Sequence, residues 1–138
     1  MKFDVKIGTT KIRDVKTSSN QTTSFLWEGE NVLSTPSLIS EMEETCRLLL
    51  KDFVLKEKEW DSVGTIVDIK HIATTPVGST IRLKSIIESV DNRRVMFIVE
   101  AFDNIEKIGE GKHERFIINV PNFRTKFEEK KRKLDINK

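Results

Sequence analysis

Between Leu38 and Val54 the apolar residues fall at Leu38, Ile39, Met42, Cys46, Leu49, Leu50, Phe53 and Val54, the three-and-four spacing of one helical face. Thr35 is the expected N-cap and Pro36 the expected first helical residue, where its missing N–H costs nothing, so the spacing predicts a helix from Pro36 to Val54. At about 100° per residue, Glu43 lies just inside the apolar stripe, with Ile39 and Leu50 as neighbours on that face. Glu41 and Glu44 point away from it, toward solvent. A carboxylate on a buried face is costly unless it is paired or used, which singles out Glu43.

The rest of the pattern has the period of strands. Phe3, Val5 and Ile7 alternate with charges and predict a short strand ended by Gly8, and Thr23–Trp27 reads as a second; the polar, Thr- and Ser-rich residues 9–22 between them read as a loop or an edge segment. After the helix, Ser62–Ala73 alternates with Val63, Thr65, Val67, Ile69, His71 and Ala73 on one face, which puts His71 on the apolar side. Thr74–Gly78 breaks that strand. A second follows from Ser79 to about Val90, Asp91–Arg94 is a hairpin turn, and Val95–Phe102 is apolar on nearly both faces, as a central strand is. Asp103–Asn104 then turns the chain into a last strand ending at Phe116, Ile118 and Val120. One long helix followed by four strands with short connections predicts an α+β fold in which the helix covers one face of an antiparallel sheet. A single helix leaves apolar sheet surface over, and this predicts a homodimer.

Composition narrows the class. The 138 residues suit one domain, placed at 1–120, followed by a basic tail or surface helix at 121–138 with seven Lys or Arg and three acidic residues. The first 120 residues carry 17 basic against 19 acidic side chains, so the body is nearly neutral. Phe123 and Phe127 stand four apart in the tail, the spacing of a helix docking on its own domain. With that docking, and no basic strands interleaved with aromatics, neither nucleic acid nor a membrane is an expected partner. Cys46 is the only cysteine and His71 and His113 the only histidines, so neither a disulfide framework nor a metal site is expected, and a reducing, cytoplasmic setting is. The N-terminal residues have no unbroken apolar run of the kind a signal peptide or membrane span requires.

Candidate chemistry gathers where the helix meets the sheet. Glu43 on the helix and His71 on the first long strand both face that interface. They form either a self-satisfying buried pair or an acid–base or nucleophile–base pair. Gly64 marks a bulge or twist, or a place where a ligand carbonyl approaches the backbone. His113 and Arg115 share one face of the last strand, either as an anion site with Arg115 the substrate-binding cation, or as a solvated pair. No glycine-rich phosphate loop, Gly-x-Ser-x-Gly elbow or His-Glu-x-x-His helix is present, which excludes the common kinase, hydrolase and zincin templates.

Val32-Leu33-Ser34-Thr35-Pro36 with Met42-Glu43-Glu44, then Ser62-Val63-Gly64-Thr65, His71-Ile72-Ala73-Thr74-Thr75-Pro76-Val77-Gly78, Asp103, Ile108-Gly109 and His113-Glu114-Arg115 together resemble the hot-dog-fold thioesterases typified by the fluoroacetyl-CoA thioesterase. The resemblance spans about residues 20–120. It implies a long helix wrapped by a curved antiparallel sheet, a homodimer with active sites at the subunit interface, and hydrolysis of a short acyl-CoA thioester with no cofactor beyond the CoA of the substrate. It also implies Thr35, Glu43 and His71 as catalytic residues and Gly64 as the glycine whose backbone contacts the thioester. The place of the family's lid phenylalanine falls at about Gly29, with Trp27 and Phe25 nearby, so no strong preference for the fluoroacetyl group over acetyl or other short acyl groups is expected. The competing expectation is a non-catalytic module that binds acyl-CoA or a related ligand.

Overall fold

The computed structural model describes residues 3–134. Its elements are β1 (Thr10–Lys16), a 3-10 turn (Ser19–Gln21), α1 (Thr35–Phe53), β2 (Trp60–His71), β3 (Thr80–Asp91), β4 (Arg94–Phe102), β5 (Lys107–Asn119) and α2 (Val120–Leu134). The five strands form one sheet in the order β1-β3-β4-β5-β2, antiparallel throughout. The α+β hot-dog arrangement expected from the sequence is therefore present, with α1 lying on one face of the sheet. Leu38, Met42, Cys46, Leu49 and Leu50 of α1 are buried against Ile81, Leu83, Ile87, Val95, Phe97, Val99, Ala101, Ile108 and Ile117 of the strands. At about 25 cal/mol per Å² of apolar surface removed from water, this contact is the main source of the fold's stability.

Several local expectations are corrected. Residues 3–7 form no strand; Phe3 instead packs edge-on against Trp60, ring centroids 5.0 Å apart. Of the two readings of residues 9–22, the edge segment is the one the structure has: the first strand lies there, at one edge of the sheet. Its inward side chains include Lys11 and Arg13, which reach α1: Lys11 pairs with Asp52 at 2.6 Å, and Arg13 with Glu41 and the Thr45 hydroxyl. Glu41 is thus not a solvated residue, since Gln21 also donates to its carboxylate. Thr23–Trp27 is irregular, and in that region Thr22 bridges to Leu33.

The cap of α1 is Ser34, whose hydroxyl accepts from the Ser37 N–H, and Thr35 is already helical. Alternation in β2 breaks at a bulge between Gly64 and Ile66, so Ser62 and Gly64 face α1 before it and Val67, Ile69 and His71 after it. At the other end of the chain, α2 is a helix with no buried residue, and Phe123 and Phe127 stay exposed instead of docking on the domain. No helix among the described residues is long and apolar enough to cross a membrane.

Candidate active site

Two glycines on the inner face of the sheet set how closely α1 approaches it. A Cβ on Gly109 would lie 2.9 Å from Leu38 Cδ2 and 3.1 Å from Met42 Cε, so only a hydrogen there lets the first turns of α1 settle onto β5. Gly109 is paired with His71 across the β5–β2 ladder. In addition, the segment before α1 is tied to the loop after β2, with Leu33 N–H donating to Thr75 O at 2.8 Å. These contacts bring Thr35 to His71, with Thr35 Oγ1 and His71 Nδ1 2.8 Å apart. Because Ser34 has taken the capping role, the Thr35 hydroxyl is free for this bond. Nε2 of His71 is buried and has no hydrogen-bond partner among the described residues. Burial lowers the His71 pKa below the ordinary histidine value, against a smaller opposing effect of the Ala73 backbone, so the ring is neutral at pH 7.

The second glycine, Gly64, is where Glu43 meets the sheet. A Cβ there would stand 2.9 Å from Glu43 Oε2 and 3.0 Å from His113 Cε1. The Glu43 side chain is 38% exposed, so the carboxylate lies at the rim of the core and not inside it. The cation nearest to it is Arg115, Nη1 to Oε2 3.8 Å, too long for a hydrogen bond and short enough for an ion pair that leaves the carboxylate lone pairs free.

Sequence reasoning left His113 and Arg115 open between an anion site and a solvated pair; the structure buries them, His113 at 1% and Arg115 at 6% exposure. Arg115 donates through Nε to Ser62 Oγ and through Nη2 to Ser62 O, each at 2.7 Å, and Nη1 stands 3.1 Å from His113 Nε2. Its donors are thus engaged by the protein, with Glu43 beside them. Burial pulls the Arg115 pKa down, and the nearby Glu43 charge works against that. The signal that could have located this cluster is the period of two itself, which sets His113 and Arg115 on the face of β5 that also carries the buried Ile117.

Glu43 and His71, expected at one interface, belong to two separate clusters in the protomer. Gly64 and His71 pair with Arg115 and Gly109, six ladder steps apart, or about 20 Å along the strand. Along α1, Thr35 and Glu43 are about 12 Å apart. The loop between Thr22 and Asn31 is held by the buried Asn31, whose Oδ1 accepts from Thr23 Oγ1, Leu26 N–H and Trp27 N–H. It displays Phe25, Leu26 and Trp27 to solvent, with Gly29 at φ +90°.

A long helix laid across a five-stranded antiparallel sheet is the hot-dog fold, and here the helix carries a carboxylate and a threonine paired with a histidine on its sheet side. The same fold is shared with a thioesterase-superfamily protein of Thermus thermophilus at TM-score 0.84 and 21% identity, over 97% of this chain and 98% of that one. A solved structure of the fluoroacetyl-CoA thioesterase FlK superposes at TM-score 0.83 with 28% identity, over 92% of this chain and 98% of that one. The fluoroacetyl-CoA thioesterase of Streptantibioticus cattleyicolor is 28% identical over 137 residues, 94% of this chain and 97% of the relative. Residues 17–121 match the family described as fluoroacetyl-CoA-specific thioesterase. The chain belongs to that family, and its reaction class is hydrolysis of an acyl-CoA thioester.

Proposed function

We propose that this protein hydrolyses short acyl-CoA thioesters at a site shared by two copies of the chain, with Glu43 from one and Thr35 and His71 from the other. The observation that carries the reading is the pairing of each helical residue with its own strand position, Glu43 at Gly64 and Thr35 at His71, about 20 Å apart along β2. No single thioester carbonyl reaches both clusters of one protomer.

A second copy supplies the remedy. Strand β2 is a sheet edge of 12 residues on which Ile66 and Val67 are 45% and 46% exposed, while the opposite edge, β1, has seven residues and carries Lys11, Arg13, Asp14 and Lys16. Charge and shortness protect β1 from pairing, whereas β2 has a long free row of N–H and C=O groups. Two-fold antiparallel pairing of β2 with its copy runs the partner's His71 back toward Gly64. It also joins the sheets so that both α1 helices lie on one side.

At such a site the Glu43 carboxylate either attacks the thioester carbonyl, giving a mixed anhydride that water then hydrolyses, or takes a proton from the attacking water. Gly64 lets the Glu43 carboxylate come close to the strand, and its backbone N–H holds the oxygen on which negative charge develops. The partner's Thr35 orients the neutral imidazole of His71, which takes a proton released by the hydrolytic water and passes it to the departing CoA thiolate. Arg115 counters the charge of Glu43 from behind. The tail from residue 121 onward carries none of these groups, and the protein acts in the cytoplasm with no cofactor.

The test is thiol release from a panel of acetyl-, fluoroacetyl-, propionyl- and butyryl-CoA, with wild-type protein and Glu43→Gln. The expected result is turnover of the short esters, no large preference for fluoroacetyl over acetyl, and a fall in kcat of about 10²- to 10⁴-fold in the variant with the melting temperature held. Acyl-CoA binding without thiol release would instead establish a non-catalytic binding module.

A further inference from the structure

Behind Glu43, His113 is the one ionisable side chain of this region for which the mechanism above has no use. It is almost wholly buried, and its two ring nitrogens are both engaged, Nδ1 with the carbonyl of Ile66 at 2.7 Å and Nε2 with Arg115 Nη1 at 3.1 Å. An arginine can only donate and a carbonyl can only accept. The ring must therefore be neutral, with its proton on Nδ1 and its lone pair on Nε2. Burial depresses the His113 pKa, the bond to the Ile66 carbonyl opposes it, and the Arg115 charge adds to the lowering, against smaller effects of Glu43 and Glu114.

The two bonds have different destinations. Ile66 is the residue at which β2 resumes its ladder after the bulge that follows Gly64. Arg115 Nη1 is the same nitrogen that stands 3.8 Å from Glu43 Oε2. The ring also closes the space over Gly64, since His113 Cε1 would lie 3.0 Å from a Cβ there. Without an acceptor at Nε2, Arg115 Nη1 would be left beside the Glu43 carboxylate, its salt-bridge partner among the described residues, and the guanidinium would close on it and occupy the lone pairs that the chemistry requires.

We propose that His113 is a positioning residue of the thioesterase site: through Nε2 it holds Arg115 back at ion-pair distance from Glu43, while its Nδ1–H bond to Ile66 anchors the ring in the fold. This rests on the assignment of Glu43 to the reaction, and the two ring nitrogens allow the two tasks to be separated. In His113→Asn the amide N–H stands in for Nδ1–H, so the bond to Ile66 is kept and the acceptor for Arg115 is lost. In His113→Gln the longer side chain places its carbonyl oxygen near Nε2, so the acceptor is kept and the donor to Ile66 is lost.

The experiment measures kcat and KM for thiol release from acetyl-CoA, together with thermal melting, on wild type and both variants. The expected pattern is crossed. His113→Asn melts close to wild type and loses about 10- to 100-fold in kcat, as expected for removing a hydrogen bond made by a charged group, with KM within a few-fold. His113→Gln melts lower, yet keeps kcat per folded molecule within about 5-fold. Activity that follows melting temperature in both variants would show a purely structural histidine and overturn the proposal, as would a His113→Asn variant of wild-type kcat. The ¹⁵N spectrum of the imidazole gives a readout independent of turnover. The Nδ1–H tautomer with an Nε2 resonance that moves in Arg115→Lys supports the bond network; the other tautomer, or an unmoved resonance, refutes it. Should the wild-type protein release no thiol from any ester while the spectrum shows the expected tautomer and shift, the acyl-CoA reading fails and the bond network of His113 stands on that spectrum.

Discussion

Gly64→Ala adds one methyl group at the point where Glu43, His113 and β2 converge, and the structure gives the size of the disturbance. The new Cβ would stand 2.9 Å from Glu43 Oε2 and 3.0 Å from His113 Cε1, where ordinary contact needs about 3.5 Å or more. Both neighbours must retreat by roughly half an ångström. The His113 ring is held by two bonds in a buried place, so most of the movement falls on the Glu43 carboxylate, the free end of a half-exposed chain. Overpacking a core costs about 1–3 kcal/mol, and the lower end applies because a flexible group yields. Replacing glycine in an extended strand returns about 0.5–1 kcal/mol of backbone entropy. The net loss of stability is therefore about 1 kcal/mol or less, a shift of about 4 °C or less in melting temperature for a chain of this size.

Activity should respond far more. A misplacement of about 1 Å at a reacting group costs on the order of 10²-fold, so one of about half an ångström costs on the order of 10-fold, and it falls on the carboxylate assigned to attack or to water activation. The assay is kcat for thiol release from acetyl-CoA beside a thermal melt of the same preparation. A variant that retains more than about a third of wild-type kcat while melting normally would show that Glu43 does not act beside Gly64, and the site would have to be sought elsewhere.

Two further expectations follow from the same geometry. Glu43→Gln and His71→Ala homodimers should each be inactive, but dissociating and reassociating a mixture of the two should restore activity, because in the heterodimer one of the two shared sites receives an intact Glu43 and an intact His71; failure of mixed samples that light scattering shows to be dimeric would place each site within one protomer. His71 and His113 both have pKa values lowered by burial, so the folded state binds fewer protons than the unfolded chain in the window between the lowered values and about 6.5. Their contribution to stability is complete above the unfolded value and is lost as pH falls through that window, and kcat/KM should decline on the acid side with an apparent pKa below 6.5; a midpoint above 7 would exclude a neutral His71 as the working form.

How much of this was legible in the chain depended on where each hydrophobic signal was buried. Helix α1 and strands β2 to β5 announce themselves because each packs an apolar stripe against the others, so their period survives in the sequence. Strand β1 does not. Its inward positions are Lys11 and Arg13, bound to Asp52 and Glu41 on the flank of α1, while Ile12 points to solvent. A strand held by ion pairs has an inverted polarity pattern, which leaves a loop and an edge segment equally open. The expected strand at residues 3–7 fails for the opposite reason: Phe3 and Val5 pack against the core without joining the ladder, so alternation alone was a false sign.

The site shows the same division. Glu43 and His71 were identifiable because a titratable group beside an apolar stripe requires explanation, and Gly64 because an isolated glycine in a strand marks a bulge or a close approach. Here it marks both. What the one-dimensional pattern could not show is which of these residues meet. The bulge after Gly64 exchanges the two faces of β2 midway, so the face that carries Gly64 toward Glu43 continues into the one that carries His71 toward Thr35. Both ends of one strand are thereby turned toward one helix, at separations that no small substrate spans within a protomer. The same bulge lies beneath His113, on the edge where a second copy would pair. A single inserted residue, Thr65, thus governs three features together: the orientation of Gly64, the carbonyl that fixes the His113 tautomer, and the line of the edge on which a partner's Thr35 and His71 would approach Glu43.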